Sequence, residues 1–210
     1  MNTTAAVLTK TGQALEIRQL DIPVLKPGQV LVEISYSGVC HTQILECRGY
    51  RGNDRFLPHC LGHEGSGTVV ETGEGVTRVR PGDKVILSWV KGSGHDVPGT
   101  VYSCEGEKVN AGAITTFQTH SVISENRLTV IPNNISMQEA ALIGCAAPTG
   151  FGAVFNTAKA RPGDSVAVFG AGGVGLCAIA AAAASGCVPV IAIDVNISKL
   201  SEAIEMGATE

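Results

Sequence analysis

Three side chains of metal-binding type, Cys40, His63 and Cys145, are spread widely along this sequence of 210 residues. A zinc ion that takes part in a reaction keeps one coordination position open, and two thiolates and an imidazole are a common ligand set. Structural zinc sites typically use close ligand pairs, and the sequence contains no Cys-x-x-Cys. Ligands so far apart predict a catalytic zinc site that the fold assembles where two domains meet.

A glycine motif, Gly170-x-Gly172-x-x-Gly175, lies between a short apolar segment and a segment of small residues. In this context the first glycine allows a tight turn, the second lets the backbone approach a pyrophosphate, and the third lets a helix pack on a strand. The motif therefore predicts a dinucleotide-binding loop, with the phosphates at a helix N-terminus. The alternative is a plain glycine-rich loop.

Asp194 ends the next apolar segment, nineteen positions after Gly175. A carboxylate there can bind both ribose hydroxyls and would repel a 2′-phosphate, so it favours NAD over NADP. The alternative is a solvated aspartate at the end of a strand.

The predicted secondary structure that positions these residues changes near residue 150, from mainly strands to alternating strands and helices. The first part is rich in short apolar runs bounded by turn residues, which predict strands. These predicted strands cover 30–36, 67–70, 84–87, 114–123 and 128–131. Ser136 and Glu139 form a capping-box pattern that predicts a helix start. Segments at 165–169, 176–184, 188–193 and 197–206 then predict a β-α-β-α order, the opening of a doubly wound nucleotide-binding domain.

Composition excludes several classes of protein. Fifteen basic and nineteen acidic residues give a net charge of −4 without a basic run, so nucleic acid is not an expected partner. Seven cysteines without tight spacing argue against a secreted disulfide framework. The uncharged segment 176–193 is broken by Ser185, Gly186 and Pro189, which favours a buried helix and strand over a membrane span. The first residues lack signal-peptide features, so we expect a cytoplasmic protein.

Taken together, the ligands and the glycine motif resemble those of zinc-dependent alcohol dehydrogenases of the medium-chain dehydrogenase/reductase superfamily. The segment Gly62-His63-Glu64-x-x-Gly67-x5-Gly73-x-x-Val76 matches the zinc signature of that family. From Leu142 to Glu210 the sequence is similar to formaldehyde-type members. The resemblance implies an α/β plus β-rich fold: a GroES-like β-barrel catalytic domain at 1–149, followed at 150–210 by the first half of a Rossmann doubly wound nucleotide-binding domain.

The resemblance also implies roles around the metal. Cys40, His63 and Cys145 would be the zinc ligands, and Glu64 would be the nearby carboxylate that can approach the ion. Thr42 would accept the proton of the substrate alcohol, the alternative being a hydroxyl that caps a local turn.

Further roles concern the cofactor and the substrate. His41 would face the pyrophosphate, and Thr149 and Val174 would lie near the nicotinamide. Asp194 and Lys199 would hold the adenosine ribose, and Trp89 would line the substrate pocket. The alternatives are a solvent-facing His41, a solvated Lys199 and a Trp89 in an ordinary core. The cofactor-binding set is His41, Thr149, Gly170, Gly172, Gly173, Val174, Gly175, Asp194 and Lys199.

Three positions depart from the family pattern. The segment 89–109 contains only Cys104 where members with a structural zinc carry four cysteines, so we expect one catalytic zinc and no structural zinc. Leu45 stands at the position of a relay histidine, which leaves the proton route open. Gln43 replaces an aspartate that orients the zinc-binding histidine, and its neutral amide would raise ligand basicity less.

The implied activity is hydride transfer between an alcohol, or an aldehyde or adduct, and NAD. A polyol or cyclitol dehydrogenase of the same superfamily and a non-catalytic binding module remain alternatives. We expect a small-molecule substrate, no nucleic acid or membrane partner, and a homo-oligomer at full length. Because only two of six expected nucleotide-domain strands are present, we also expect a fragment that binds zinc but is itself inactive.

The remaining histidines and cysteines suggest no further site. We expect His59 and Cys60 to pack a loop, and His95 and His120 to be structural. The other cysteines are expected to be small buried apolar groups: Cys47, Cys104, Cys177 and Cys187.

Overall fold

The computed structural model describes residues 1–210 and divides into two compact units, Met1–Gly144 and Cys145–Glu210. The first unit contains ten strands: β1 (Asn2–Leu8), β2 (Glu16–Asp21), β3 (Gln29–Ser37), β4 (His59–Cys60), β5 (Gly65–Thr72), β6 (Lys84–Leu87), β7 (Val101–Cys104), β8 (Glu107–Asn110), β9 (His120–Ser124) and β10 (Leu128–Val130). Its helices are α1 (His41–Cys47), α2 (Met137–Ala141) and a 3-10 turn at Glu125–Arg127.

Two sheets make up the first unit. Strands β1, β2, β7, β8 and β4 form a closed barrel, and a second sheet has the order β10-β6-β5-β3-β9. Alternation along β3 supplies both cores, because Val30 and Val32 pack into one cluster and Leu31 into the other. The partner strand β9 does the same with Val122 and Ile123. The barrel expected from the sequence is confirmed.

Local sequence patterns predicted the positions of several of these elements. The predicted strand at 84–87 coincides with β6, and β3, β5 and β10 lie within a few residues of their predicted positions. The capping box is confirmed, since Ser136 Oγ accepts the Glu139 N–H at 3.2 Å and Glu139 Oε2 accepts the Ser136 N–H at 2.9 Å. The predicted strand at 114–123 is wrong in its first half. The regular strand covers only His120–Ser124, and before it Gln118 makes a single antiparallel bridge with Ala5. Thr115 and Gln118 use their side chains in hydrogen bonds within an irregular loop.

The second unit continues as a helix, a strand, a helix, a strand and a helix. These are α3 (Ala146–Gly152), which runs on as a π-helix at Ala153–Ala158, then β11 (Val166–Phe169), α4 (Gly173–Ala184), β12 (Val190–Ile193) and α5 (Ser198–Glu205). Strands β11 and β12 pair in parallel, which confirms the predicted β-α-β-α order. Helix α3 packs closely on α4, because Gly150 leaves room for the carbonyl of Val174.

The uncharged segment 176–193 forms most of α4 and the strand β12. No helix of the protein has the length and apolar character needed to cross a membrane.

Candidate metal centre and nucleotide-binding loop

Cys40 lies at the junction between β3 and α1. Its backbone is extended, with φ −98° and ψ 148°, and it caps the N-terminus of α1. The side-chain oxygen of Gln43 accepts the Cys40 N–H at 2.8 Å, which fixes the turn that carries the thiol. The Gln43 side chain is therefore used to hold the backbone of Cys40, and its Nε2 is buried without a hydrogen-bond partner.

His63 lies between β4 and β5, on the same side of the unit as Cys40. The ligand atoms of the two residues lie within 4.8 Å of each other. Burial lowers the pKa of His63 by disfavouring its charged form. The ring is thus kept neutral at pH 7, which is the form in which an imidazole binds a metal.

Glu64 is buried beside His63, with 4% of its surface exposed. Gly38 makes room for it, because a Cβ at position 38 would lie 2.6 Å from the carboxyl carbon of Glu64. Gly144 does the same from another side, where an added Cβ would lie 2.8 Å from Glu64 Cβ. Two glycines therefore hold open the space that this carboxylate fills.

Cys145 follows Gly144 directly and begins the second unit. Gly144 is the last residue of the first unit and is packed within it, since an added Cβ would lie 2.4 Å from Leu87 O, and its carbonyl accepts the Ser88 hydroxyl at 2.8 Å. The carbonyl of Cys145 accepts both the N–H and the hydroxyl of Thr149, at 3.1 and 2.7 Å. Cys40, His63 and Cys145 are each partly buried.

The residues expected beside the metal occupy distinct places on α1. Thr42 Oγ1 accepts a long hydrogen bond of 3.7 Å from the Cys40 thiol. His41 begins the helix and is exposed. Leu45 follows Thr42 one turn later on the same helix, so α1 offers no second proton acceptor at that position.

Trp89 lies near the candidate ligands of the first unit. Its ring is 6.4 Å from that of His63 in an edge-on arrangement, and 55% of its surface is exposed. The guanidinium carbon of Arg127 lies over the indole ring, at 5.6 Å from the ring centroid. This exposure excludes the alternative of an ordinary core tryptophan.

In the second unit the glycine loop joins β11 to α4. Gly170 has a positive φ of 95°, which only glycine adopts without strain. A Cβ at Gly175 would lie 1.8 Å from the carbonyl oxygen of Gly170, so α4 can approach the strand only with glycine there. At Gly172 no atom lies within 4 Å of an added Cβ. The loop thus leaves open backbone at the N-terminus of α4, which begins at Gly173 and carries Val174 in its first turn.

Asp194 closes β12 beside this loop. Its Oδ1 accepts the N–H of Asn196 and its Oδ2 that of Ala171, each at 2.8 Å, and these bonds lower its pKa. Lys199 Nζ lies 3.5 Å from Asp194 Oδ2. The structure therefore brings together the two residues expected at the ribose, next to the glycine loop.

The family model for the alcohol dehydrogenase GroES-like domain matches residues 26–133, more than half of the chain. The chain belongs to this alcohol dehydrogenase family. S-(hydroxymethyl)glutathione dehydrogenase of Photobacterium damsela subsp. piscicida is 38% identical over an alignment that covers 100% of the chain and 63% of that relative. The homologue of the same name in Synechocystis sp. is also 38% identical, with the same coverage. The chain thus spans 63% of the length of the curated relatives that it matches.

Solved structures of alcohol dehydrogenases have the same fold. An alcohol dehydrogenase zinc-binding domain protein from Burkholderia ambifaria is 30% identical with a TM-score of 0.89, and benzyl alcohol dehydrogenase from Acinetobacter calcoaceticus is 30% identical with a TM-score of 0.87. Each alignment covers 100% of this chain and 63% of the other. The fold of this chain is a GroES-like barrel unit followed by the start of a Rossmann domain.

The remaining cysteines of this family member are less uniform than the sequence predicts. Cys60 and Cys187 are buried, whereas Cys47, Cys104 and Cys177 are only partly buried, so the expectation of small buried groups is wrong for these three. Cys47 and Cys104 are the last residues of the short elements α1 and β7, whereas Cys177 lies within α4. Burial raises the pKa of the Cys60 thiol to about 12, which keeps it neutral.

Two histidines have partners that the sequence does not reveal. His95 Nδ1 lies 2.6 Å from the carboxylate of Glu125, and His59 Nε2 lies 2.7 Å from that of Asp54. Neither pair forms a recognisable spacing, because each joins a loop to a strand or turn that only the fold brings close. Glu46, Asp54 and Glu125 were accordingly missed as polar centres.

Proposed function

We propose that this protein is an NAD-dependent zinc alcohol dehydrogenase, which transfers hydride between an alcohol, or an aldehyde or adduct, and NAD. The observation that carries the proposal is the meeting of Cys40 and His63 in a chain that also has an open glycine loop. The similarity to an S-(hydroxymethyl)glutathione dehydrogenase and to a benzyl alcohol dehydrogenase supports the reaction class. These relatives leave the substrate among primary alcohols and their adducts.

In this proposal Cys40, His63 and Cys145 hold one zinc ion. The donor set fits, because two thiolates and a neutral imidazole are a catalytic zinc set with a position left for substrate. When bound, the ion supplies Lewis-acid polarisation of the substrate oxygen. Glu64 is the buried carboxylate beside His63, and Gln43 fixes the backbone of Cys40.

The residues of α1 handle the proton. The Thr42 hydroxyl lies beside the Cys40 sulfur, where it can accept a proton from an alcohol and pass it on. Leu45 cannot take it further, so the next acceptor is water or a cofactor hydroxyl. Trp89, half exposed and edge-on to His63, forms an apolar wall for the carbon chain of the substrate.

The second unit binds NAD in this proposal. Gly170, Gly172, Gly173 and Gly175 give the pyrophosphate access to backbone N–H groups at the start of α4. Asp194 and Lys199 hold the adenosine ribose, while Thr149 and Val174 lie toward the nicotinamide and His41 toward the phosphates. NAD supplies the hydride acceptor, and the protein supplies its orientation.

The domain assignment remains part of the proposal, with a catalytic domain at 1–149 and a nucleotide-binding domain from 150. We propose a cytoplasmic protein, because an odd number of cysteines without tight spacing suits a reducing compartment. A homo-oligomer at full length, expected from the resemblance, is also part of the proposal. One zinc per chain at this centre, without a structural zinc at 89–109, completes the assignment.

The test is to measure turnover of the full-length protein on a panel of alcohols with NAD and with NADP. We expect NADH formation from primary alcohols and a loss of at least about a thousandfold for Cys40→Ala, since Lewis-acid polarisation contributes several kcal/mol. Cys104→Ala is the matched control and should retain turnover. Turnover kept by Cys40→Ala would contradict the zinc mechanism and favour a metal-free reductase.

A further inference from the structure

A second group of metal-ligand side chains lies within the first unit, away from the candidate catalytic centre. Glu46, Asp54 and His59 each offer one ligand atom, and these atoms all lie within 4.8 Å of one another. Glu46 is on α1, Asp54 is in the loop that follows, and His59 begins β4. His59 is buried, with 7% of its surface exposed.

The hydrogen bonds of His59 determine which nitrogen faces the carboxylates. Its Nδ1 lies 3.0 Å from the carbonyl oxygen of Cys60, and a carbonyl can only accept, so Nδ1 carries the proton. A backbone carbonyl on one ring nitrogen is the usual partner of a histidine that binds metal through the other. The other nitrogen, Nε2, lies 2.7 Å from Asp54 Oδ2 and 3.9 Å from Glu46 Oε1.

The second oxygen of Asp54 is already occupied. Its Oδ1 accepts the N–H of Phe56 at 2.9 Å, which turns Oδ2 toward the imidazole. A ring lone pair and two carboxylates that point at one spot repel each other unless a proton or a cation lies between them.

We propose that Glu46, Asp54 and His59 bind a second divalent transition-metal ion of the zinc class. Ligands at about 2.0–2.1 Å in a tetrahedral arrangement lie ~3.3 Å apart, and the distances from His59 Nε2, 2.7 and 3.9 Å, fall on either side of this value. One imidazole with two carboxylates favours zinc-like ions over calcium or magnesium.

The surroundings leave access to such an ion. A cavity of about 310 Å³ is lined by Glu46 and Asp54 together with Arg51 and Arg55, and it can admit water as a fourth ligand. Both arginines are exposed, and Arg55 lies over the ring of Phe56 at 5.1 Å, so solvent screens their charges.

Occupancy would tie the last turn of α1 to β4. Helix α1 begins directly after Cys40. A bound ion would therefore stabilise the element that carries a catalytic ligand, by an amount that grows with the logarithm of the ion concentration over its dissociation constant. The site is distinct from the thiolate centre because it contains no sulfur.

Cobalt(II) titration of the 210-residue chain tests the proposal. Thiolate-bound cobalt gives an intense near-ultraviolet charge-transfer band, which a site of nitrogen and oxygen ligands lacks. We expect the Cys40→Ser/Cys145→Ser chain, which keeps no thiolate of the candidate catalytic centre, to bind one equivalent of cobalt without that band, and we expect the same chain with Asp54→Asn added to bind no cobalt. Adding Glu202→Gln instead removes an exposed carboxylate from α5 and is the matched control, which should still bind one equivalent.

Thermal unfolding of each variant with zinc or EDTA is the second readout. Zinc should raise the midpoint of the Cys40→Ser/Cys145→Ser chain and leave the midpoint unchanged once His59→Gln is added. If the Cys40→Ser/Cys145→Ser chain binds no cobalt while its unfolding midpoint shows a folded chain, the proposal is overturned and the cluster is a His59–Asp54 ion pair. One equivalent of cobalt still bound after Asp54→Asn or His59→Gln is added would overturn it too.

Discussion

At the scale of single residues, two buried carboxylates depend on backbone groups and on glycines. Glu64 fills a space that Gly38 and Gly144 leave open, and Glu125 accepts backbone N–H groups from three residues. Neither arrangement has a motif of its own, because the partners come from distant segments. The zinc signature locates Glu64, whereas nothing in the sequence locates Glu125.

Gly38→Ala should displace Glu64 from its place beside His63. An added Cβ would lie 2.6 Å from the carboxyl carbon, so the side chain must move. We expect a loss of ~1–3 kcal/mol in the free energy of unfolding, as for other overpacked sites, together with weaker zinc binding. Denaturant unfolding and zinc titration check this. Gly112→Ala is the control, since the added Cβ would have its nearest neighbour, Ile114 O, at an ordinary 3.6 Å.

Glu125 should make stability depend on acid pH. Burial of this carboxyl raises its pKa, but the N–H groups of His95, Thr77 and Arg78 and the His95 ring outweigh burial and hold the pKa at about 2. A lowered pKa stabilises the fold above the ordinary value near 4.5 and loses that contribution as pH falls toward 2.

Glu125→Gln should therefore lower the free energy of unfolding at pH 7 by about 3 kcal/mol. The difference from the parent chain should shrink as the pH is lowered toward 2. Denaturant unfolding across that range measures both, with the exposed Glu74→Gln as control. A constant difference at every pH would contradict the assignment.

At the scale of elements, short local signals predict well where the chain itself supplies the partner. The capping box of Ser136 and Glu139 and the glycine turn before α4 are of this kind. The barrel strands β1, β2, β7 and β8 were not predicted, because polar residues such as Glu107, Lys108 and Asn110 hide their alternation. Helix α1 was missed because Cys40 is an unusual cap for so short a helix.

Two glycine variants should separate packing from cofactor binding in the loop before α4. Gly175→Ala places a Cβ 1.8 Å from Gly170 O and should destabilise the second unit as well as abolish NAD binding. Gly172→Ala meets no atom within 4 Å, so it should leave stability nearly unchanged and weaken NAD binding by obstructing the pyrophosphate. Thermal unfolding and NADH fluorescence titration measure the two effects. Equal NAD affinity for Gly172→Ala and the parent chain would contradict the loop's role.

At the scale of the whole molecule, the sequence locates most of the proposed centre because its ligands lie inside recognisable motifs. Cys40, His63 and the glycine loop were all predicted, and the structure places Cys40 and His63 together within the first unit. The Glu46, Asp54 and His59 group could not be predicted, since it depends on how the loop between α1 and β4 folds back. The conformation of that loop also depends on closure of the barrel by contacts distant in sequence, and no local sequence pattern encodes this closure.

X-ray absorption of zinc tests the central claim most directly. The 210-residue chain with Asp54→Asn, which removes the second group, should be loaded with one equivalent of zinc. We expect two sulfur neighbours at ~2.3 Å, one imidazole nitrogen at ~2.0–2.1 Å and one further light atom. A spectrum with only nitrogen and oxygen neighbours would contradict zinc ligation by Cys40 and Cys145.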